Sequence, residues 1–488
     1  MKSTFVLLLL TLFVAAAPAR AATPPNIVHI VADDLGWKDV GFNGCTDIRT
    51  PNLDALAAGG AKFTQFYCMN ICTPTRAALM TGRYPFRYGL QTIVIPGPAT
   101  YGLDLGERLL PQALTNAGYT TAIIGKWHLG HADTKFWPRQ RGFDYQYGAM
   151  IGELDYYKHS DDGVLDWFRN NKPVHEKGYT TQLLGADAVK YIQRQSPDRP
   201  FYLYLTFNAP HTPYQAPKEY VDRYPNIPDP TRRTYAGMVT CLDDEIGKVV
   251  AALDQKGLRE NTLILFHSDN GGTRNALFAG QMADMSKIKL PCDNGPYREG
   301  KGTLFEGGSR VAACANWPGH IRPQVVNGII HAVDIYPTFA ALAGASSTDG
   351  KPLDGMNVWG TLSEGNPSPR TEFVYNVEPF RAAIRQGDWK LIWRTLIPSS
   401  VDLYNLAEDP YETRNLASEH PDKVAAMKAR IEALGREAAK PLGLVYITQV
   451  GLAHGKPAMA SEGGKAPAPV DSHGPSVTDE GVGDPDQP

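Results

Sequence analysis

The segment that most constrains this chain is Asn26–Ala32 (NIVHIVA), an apolar run rich in β-branched residues that ends directly on Asp33 and Asp34. A strand with one wetted face alternates apolar and polar residues, whereas a strand covered on both faces reads as a nearly continuous apolar run. Residues 120–124 (TTAII), 201–207 (FYLYLTF) and 262–266 (TLILF) have the same character. Segments with helical apolar spacing lie between them: residues 105–117, stopped by Gly118, and residues 235–253. Strands alternating with helices predict an α/β fold around a large, mostly parallel central sheet. Near residue 371 the pattern changes. Residues 383–393 and 401–406 read as shorter antiparallel strands and 420–434 as an amphipathic helix, which predicts a smaller α+β subdomain over 371–454. From about residue 455 to 488 Gly, Pro, Ser and Asp dominate and aromatics vanish, the composition of a disordered tail.

Charge narrows the partners. Lys and Arg (48) nearly balance Asp and Glu (51) over 488 residues, so neither nucleic acid nor an anionic membrane surface is expected as a partner. Any anion must be recognised by local placement of charge. Residues 1–21 carry Lys2, an apolar stretch over 5–17 and the A-x-A site Ala19-Arg20-Ala21, the pattern of a signal peptide cleaved near Ala21. The apolar stretch is too short to serve comfortably as a membrane anchor, so a secreted or periplasmic protein is expected. Six cysteines, at 45, 68, 72, 241, 292 and 314, are an even number that an exported protein can pair, but their spacing shows neither a compact disulfide framework nor a C-x-x-C metal pattern.

The densest local signal is residues 71–83 (ICTPTRAALMTGR). Thr73 suits an N-cap, Pro74 the first helical position and Gly82 the C-terminal stop. Free N–H groups would then face whatever lies beside Cys72, and Arg76 adds a fork of donors that fits a tetrahedral oxyanion. Asp33-Asp34 and Asp269-Asn270 each follow a strand, and ligands in open α/β sheets bind at the carboxyl ends of the strands. Three carboxylates and an amide oxygen meeting there form a hard-oxygen cage suited to Ca²⁺ or Mg²⁺; either pair alone is better explained as turn or helix caps, and it is two such pairs, each ending a buried-type strand, that point to metal. Lys126 and His128, in the segment 125–130 (GKWHLG), lie two apart and face one side if the chain stays extended, where they can grip an anion and move a proton. His211 sits between prolines just past another strand, and Lys301 lies in the glycine-rich stretch 300–310, which lacks the Walker pattern of a nucleotide site. Convergence on one rim of one sheet accounts for all of them.

These motifs, in this order from about residue 26 to about 430, resemble a type I sulfatase of the alkaline phosphatase superfamily, of the arylsulfatase B (N-acetylgalactosamine-4-sulfatase) type. The likeness includes residues 268–272 (SDNGG), 387–391 (GDWKL) and 403–406 (LYNL). It implies an alkaline-phosphatase-like sandwich with 22–370 as the catalytic domain. Cys72 would be oxidised to formylglycine (3-oxoalanine) by a formylglycine-generating enzyme. Asp33, Asp34, Asp269 and Asn270 would bind one Ca²⁺, with oxidised Cys72 beside it. Arg76 would hold the aldehyde hydrate, while Lys126, His128, His211 and Lys301 contact the sulfate and move protons. The implied reaction is hydrolysis of a sulfate monoester to alcohol and inorganic sulfate, through attack by the formylglycine gem-diol. The implied substrate is a sulfated sugar such as N-acetylgalactosamine 4-sulfate, or an aryl sulfate, with residues 153–159 and 274–284 at the pocket rim. Thr75 departs from the smaller residue common at that position, and Ala312-Ala313 from a frequent proline. Two alternatives share these residues: a phosphonate or phosphate monoester hydrolase of the same superfamily, and a non-catalytic binder of sulfated glycans.

Overall fold

Seven buried residues, Asn26–Ala32, form the central strand of a ten-stranded sheet. The computed structural model describes residues 24–274 and 290–453, so the expected signal peptide and the tail from 455 lie outside the described residues. Across the sheet the order is Gln324–Val326, Ala61–Phe63, Ala313–Asn316, Thr262–Ser268, Asn26–Ala32, Phe201–Thr206, Thr120–Gly125, Tyr145–Gly148, Phe168–Arg169 and Lys172–Pro173. The five strands from Thr262–Ser268 to Tyr145–Gly148 run parallel. Antiparallel pairings appear only toward the edges.

The continuous apolar strands are explained by cover on both faces. Val28, Ile30 and Ala32 point into one core shared with Leu184 and Ile192 of the helix Thr180–Gln193 and with Val239, Leu242 and Ile246 of the helix Pro230–Gln255. His29, on the opposite face, meets Phe339 of the helix Ile335–Leu342 edge to face. The 26-residue helix Pro230–Gln255 starts where its sequence says it should: Asp229 accepts from the backbone of Thr231 and Arg232, and Pro230 fills the first position.

A separate four-stranded antiparallel sheet follows, Glu372–Val377, Arg381–Gln386, Trp389–Arg394 and Ser400–Asn405, with the helix Pro421–Arg436 after it. The stretch expected as strand over 383–393 is two strands, folded back at Gly387, whose φ of +58° a side chain would resist. The helix expected over 105–117 is only Leu110–Asn116. Arg141 donates to the carbonyls of Leu103, Asp104 and Glu107, holding that stretch as turns by a contact no local pattern reveals. The chain divides into two units, the first ending at Leu444; the second is described only through the end of the helix Leu442–Ala453. Among the described residues no helix is long and apolar enough to cross a membrane, and all six cysteines are free thiols.

Candidate active site

Strand register assembles the site. Ala32 pairs with Ser268, Val31 with Thr206, and Thr206 with Gly125. The residues that follow, Asp33, Asp269 and Lys126, therefore leave the sheet side by side on one rim. Two residues there take the left-handed conformation, Asp34 at φ +64° and His128 at φ +59°, which Asp and His tolerate better than most side chains. The helix Cys72–Thr81, every residue of it buried, aims its first turn at this rim. Thr73 is not its N-cap. The helix begins at Cys72 after an extended Ile71, because the Thr73 hydroxyl is engaged by the His128 carbonyl (3.1 Å) and the Ile95 N–H (3.2 Å). Gly82 closes it at φ +65°, as expected.

The ten candidate residues meet. Cys72 Sγ lies 3.3 Å from Asp33 Oδ1 and 3.9 Å from Asp34 Oδ1. Lys126 Nζ forms a short ion pair with Asp33. Lys301 Nζ donates to Asp34 Oδ2 at 2.7 Å and lies 3.0 Å from His211 Nε2. Arg76 donates Nε (3.2 Å) and Nη2 (2.8 Å) to Asp269 Oδ2, and Nη1 to the Lys126 carbonyl at 3.0 Å. Asn270 Nδ2 donates to Asp34 Oδ1 at 2.7 Å, which leaves Asn270 Oδ1 buried without a partner. Ligand atoms of Asp33, Asp34, Cys72 and His211 all lie within 4.8 Å of one another. Sequence reasoning passed over two supports. Thr273 donates to Asp34 Oδ2 at 2.9 Å, and Thr75 donates to the Asp269 carbonyl at 2.6 Å, so the unusual residue inside the cysteine motif ties that helix to the Asp269 strand.

Burial and neighbouring charge set the protonation states. Burial alone would raise Asp33, but the cations Lys126, Arg76 and Lys301 hold it far below the ordinary carboxylate range. Asp269 goes the other way, pushed up to about 7 by burial and the Asp33 charge. Burial and the Lys301 charge bring His211 down to about 4. His211 Nδ1 lies 2.7 Å from the Thr212 carbonyl, so that nitrogen carries the proton and Nε2 accepts from Lys301. His128 is lowered by burial and by Lys126, and its Nε2 faces the Ile95 carbonyl at 3.3 Å. Its Nδ1 is left buried and unpartnered, a base without a proton. The Cys72 thiol is pushed well above its ordinary value by burial and by Asp269 and Asp33, so unmodified Cys72 is no thiolate nucleophile.

Above Cys72 opens a cleft of about 350 Å³, at the small end for ligand sites, lined by Cys72, His128, His211 and Lys301 at its foot. Val94, Ile95 and Pro96 form an apolar wall, and Glu153, Asp161 and Asp162 an acidic rim. Gly152 permits this shape: a Cβ there would lie 2.3 Å from the His128 ring. Of the expected rim over 153–159 only Glu153 lines the cleft; Tyr156 lies beneath and donates to the carbonyls of Asn208 (2.8 Å) and His211 (2.9 Å), fixing the His211 loop. Of 274–284 only Arg274 is described; it lines a different cavity, beside Lys38 and Arg232, and the remainder lies outside the described residues.

A Sulfatase family model matches residues 25–345. The chain belongs to the sulfatase family. Two curated relatives of this sulfatase come from Mus musculus. Arylsulfatase J is 32% identical over 478 residues, covering 86% of this chain and 77% of its own. N-acetylgalactosamine-6-sulfatase is 37% identical over 394 residues, covering 76% and 72%. The crystal structure of Ps i-CgsB in complex with k-i-k-neocarrahexaose shares the fold with a TM-score of 0.77 at 34% identity, over 86% of this chain and 94% of that one. The sulfatase is thus a sulfuric ester hydrolase with the alkaline-phosphatase-like α/β architecture.

Proposed function

We propose that this sulfatase removes sulfate from sugar sulfate monoesters, using a formylglycine made from Cys72 and one Ca²⁺, and that it works outside the cytoplasm after export. The observation that carries the reading is Cys72 itself: a buried thiol at the foot of the cleft, ringed by carboxylates and by cations, with its ionisation opposed by burial and by the neighbouring Asp269 and Asp33. Such a thiol has no use as a nucleophile. Its position suits a residue that a formylglycine-generating enzyme converts during maturation.

The donor set fits a hard cation. Asp33, Asp34, Asp269 and the orphaned Asn270 Oδ1 are all oxygen ligands, the chemistry of Ca²⁺ rather than of a metal that favours thiolate or imidazole. We assign the ion to these four with converted Cys72 beside it, and not to His211, whose Nε2 is taken by Lys301. When bound, a divalent cation supplies Lewis-acid stabilisation of charge on the attacking and sulfate oxygens. When formed, the aldehyde supplies, as its hydrate, a hydroxyl that attacks sulfur and a second that lets sulfate leave.

The chain's own groups do the rest. Lys126 and Lys301 are paired to Asp33 and Asp34; with the carboxylates turned to a cation, both ammoniums are released toward a sulfate in the cleft. Lys301, held against His211 Nε2, is placed to give a proton to the leaving alcohol oxygen. His128 Nδ1 takes the proton that must leave before sulfate is expelled. Arg76 holds the Asp269 carboxylate and the Lys126 carbonyl in place. The acidic rim of Glu153, Asp161 and Asp162 matches the hydroxyl donors of a sugar ring better than a flat aryl group. One relative is named for N-acetylgalactosamine 6-sulfate and one neighbour holds a neocarrahexaose, which supports a carbohydrate substrate. An N-acetylgalactosamine sulfate is the specific expectation, with position 4 against position 6 open to test.

The test is a panel of N-acetylgalactosamine 4- and 6-sulfates, a nitrophenyl sulfate and the matching phosphate and phosphonate monoesters, assayed with calcium and with chelator. The reading expects calcium-dependent release of sulfate from a sugar ester, with kcat/KM above that for the phosphorus esters. Preference for phosphate or phosphonate would replace it with the sister hydrolase activity, and turnover of none with a glycan binder.

A further inference from the structure

The motif at 387–391 contributes no side chain to the cleft, yet its Lys390 is fully buried. Lys390, on the strand Trp389–Arg394, places Nζ 3.0 Å from Glu306 Oε1 and 2.7 Å from Glu412 Oε1, with all three side chains out of water. Glu412 Oε2 also accepts the backbone N–H of Glu306 at 2.7 Å. Glu306 further receives the Tyr67 hydroxyl at 2.7 Å and the Tyr375 hydroxyl, with Arg310 at 3.4 Å. Burying three charges is rarely a gain in stability over apolar packing, so the cluster calls for another reason.

Its position supplies one. Glu306 lies five residues beyond Lys301 on the same glycine-rich loop. Fixed there, the loop presses against the segment that holds Asp269 and Asn270: Gly271 N–H donates to the Gly308 carbonyl at 3.0 Å, and a Cβ on Gly271 would lie 1.7 Å from the Gly307 carbonyl. At its other end the Lys301 N–H donates to the Gly272 carbonyl at 3.2 Å. Beside it the Gly302 carbonyl accepts from Arg381 of the same antiparallel sheet at 2.7 Å. The antiparallel sheet therefore grips the loop at three points, Gly302 through Arg381, Phe305 through Arg394 and Tyr404, and Glu306 through Lys390.

We propose that Lys390, through Glu306 and Glu412, is a positioning residue that sets Lys301 and the Asp269–Asn270 segment at the correct depth in the cleft. The inference rests on the reading of Lys301 as a cation facing the sulfate ester. Active sites lose rate steeply when a supporting contact lets a group drift by an ångström. Lys390→Met alone strands two buried carboxylates, so the working variant is K390M/E412Q, which removes one charge of each sign, and K390R is the rescue. R430M, which breaks the partly exposed Arg430–Glu372 pair (2.8 Å) between the helix Pro421–Arg436 and the same sheet, away from the loop, is the control.

All four proteins, converted at Cys72 and calcium-loaded, are compared by hydrogen–deuterium exchange and by kinetics on an alkyl and an activated aryl sulfate. The expected result for K390M/E412Q is faster exchange over 300–310 and 269–272. With it, kcat/KM falls by about 10- to 100-fold on the alkyl ester and by less on the aryl ester, whose leaving group needs no acid. K390R recovers most of that loss, and R430M behaves as wild type. Unchanged exchange over 300–310, or loosened exchange there with unchanged kinetics, overturns the proposal. Lys301→Ala, run in parallel, separates the two layers. If it turns over the alkyl ester normally, the reading of Lys301 fails, and the exchange data alone decide whether Lys390 holds the loop.

Discussion

Arg76 offers the sharpest single perturbation. Its guanidinium is wholly buried and spends two donors on one oxygen, Asp269 Oδ2, at 3.2 and 2.8 Å. Arg76→Met removes both, and also the donor to the Lys126 carbonyl. That carbonyl keeps the Thr206 hydroxyl at 2.8 Å and is not orphaned, so the cost falls mainly on Asp269, with a smaller share on Asp33, 3.7 Å from Arg76 Nη2. Asp269 is left with one long contact, from the Asp34 N–H at 3.3 Å, in a cluster where three carboxylates now face two lysines. Stranding one member of a buried ion pair costs about 3–5 kcal/mol at about pH 9, where Asp269 resists protonation; near pH 7, to which its pKa is already raised, it takes up a proton and the cost is smaller. At about 2.1 cal/mol/K per residue, roughly 400 ordered residues carry an unfolding entropy near 0.8 kcal/mol/K, so Tm should drop by about 4–6 °C. The drop should be largest in chelator and shrink with added calcium, because a bound cation takes over the charge Arg76 balanced. Removing the stranded charge as well, in R76M/D269N, should recover part of the loss, with a coupling of about 2 kcal/mol in the double-mutant cycle. Scanning fluorimetry of the four proteins in chelator, at about pH 9, measures this. A Tm for R76M within about 1 °C of wild type, or a cycle that closes additively, refutes the electrostatic account of Asp269.

Other outcomes follow from the same geometry. Calcium should raise Tm, by about 3 °C at a hundredfold excess over its dissociation constant, and Asn270→Ala should move the midpoint of that titration to higher calcium. Cys72→Ser, which cannot form the aldehyde by the same route, should lower kcat on the order of 10³-fold or more while leaving Tm nearly unchanged. Because all six cysteines are free, the denatured converted protein should titrate five thiols, the six less Cys72. In the native protein Cys45, half-buried where the other five are fully buried, should alkylate slowly at neutral pH, since its partial burial pushes the thiol up to about 12, and faster as pH rises toward that value.

The parallel core was legible because a strand covered on both faces keeps no polar alternation, so Asn26–Ala32 and its neighbours stand out as apolar runs. Strand ends are legible for the same reason, so the sequence alone sets Asp33, Lys126 and Asp269 on one rim. Edge strands of two or three residues, such as Ala61–Phe63 and Gln324–Val326, carry too little pattern to read. Long-range contacts decided the remaining misses. Arg141 unwinds the start of the helix expected over 105–117, and the Ile95 loop and His128 together claim the hydroxyl expected to cap the Cys72 helix. The Lys390–Glu306–Glu412 cluster draws Glu306 to Lys390 and Glu412, 84 and 106 positions away, and sequence spacing has no means of announcing it.

The most direct test of the whole account is the mass of the peptide carrying Cys72, from protein exported by a host with formylglycine-generating activity. The account predicts a mass shifted by exchange of H₂S for oxygen at position 72, and a product that reacts with hydrazides. An intact thiol at that position in protein that still turns over sulfate esters would contradict it.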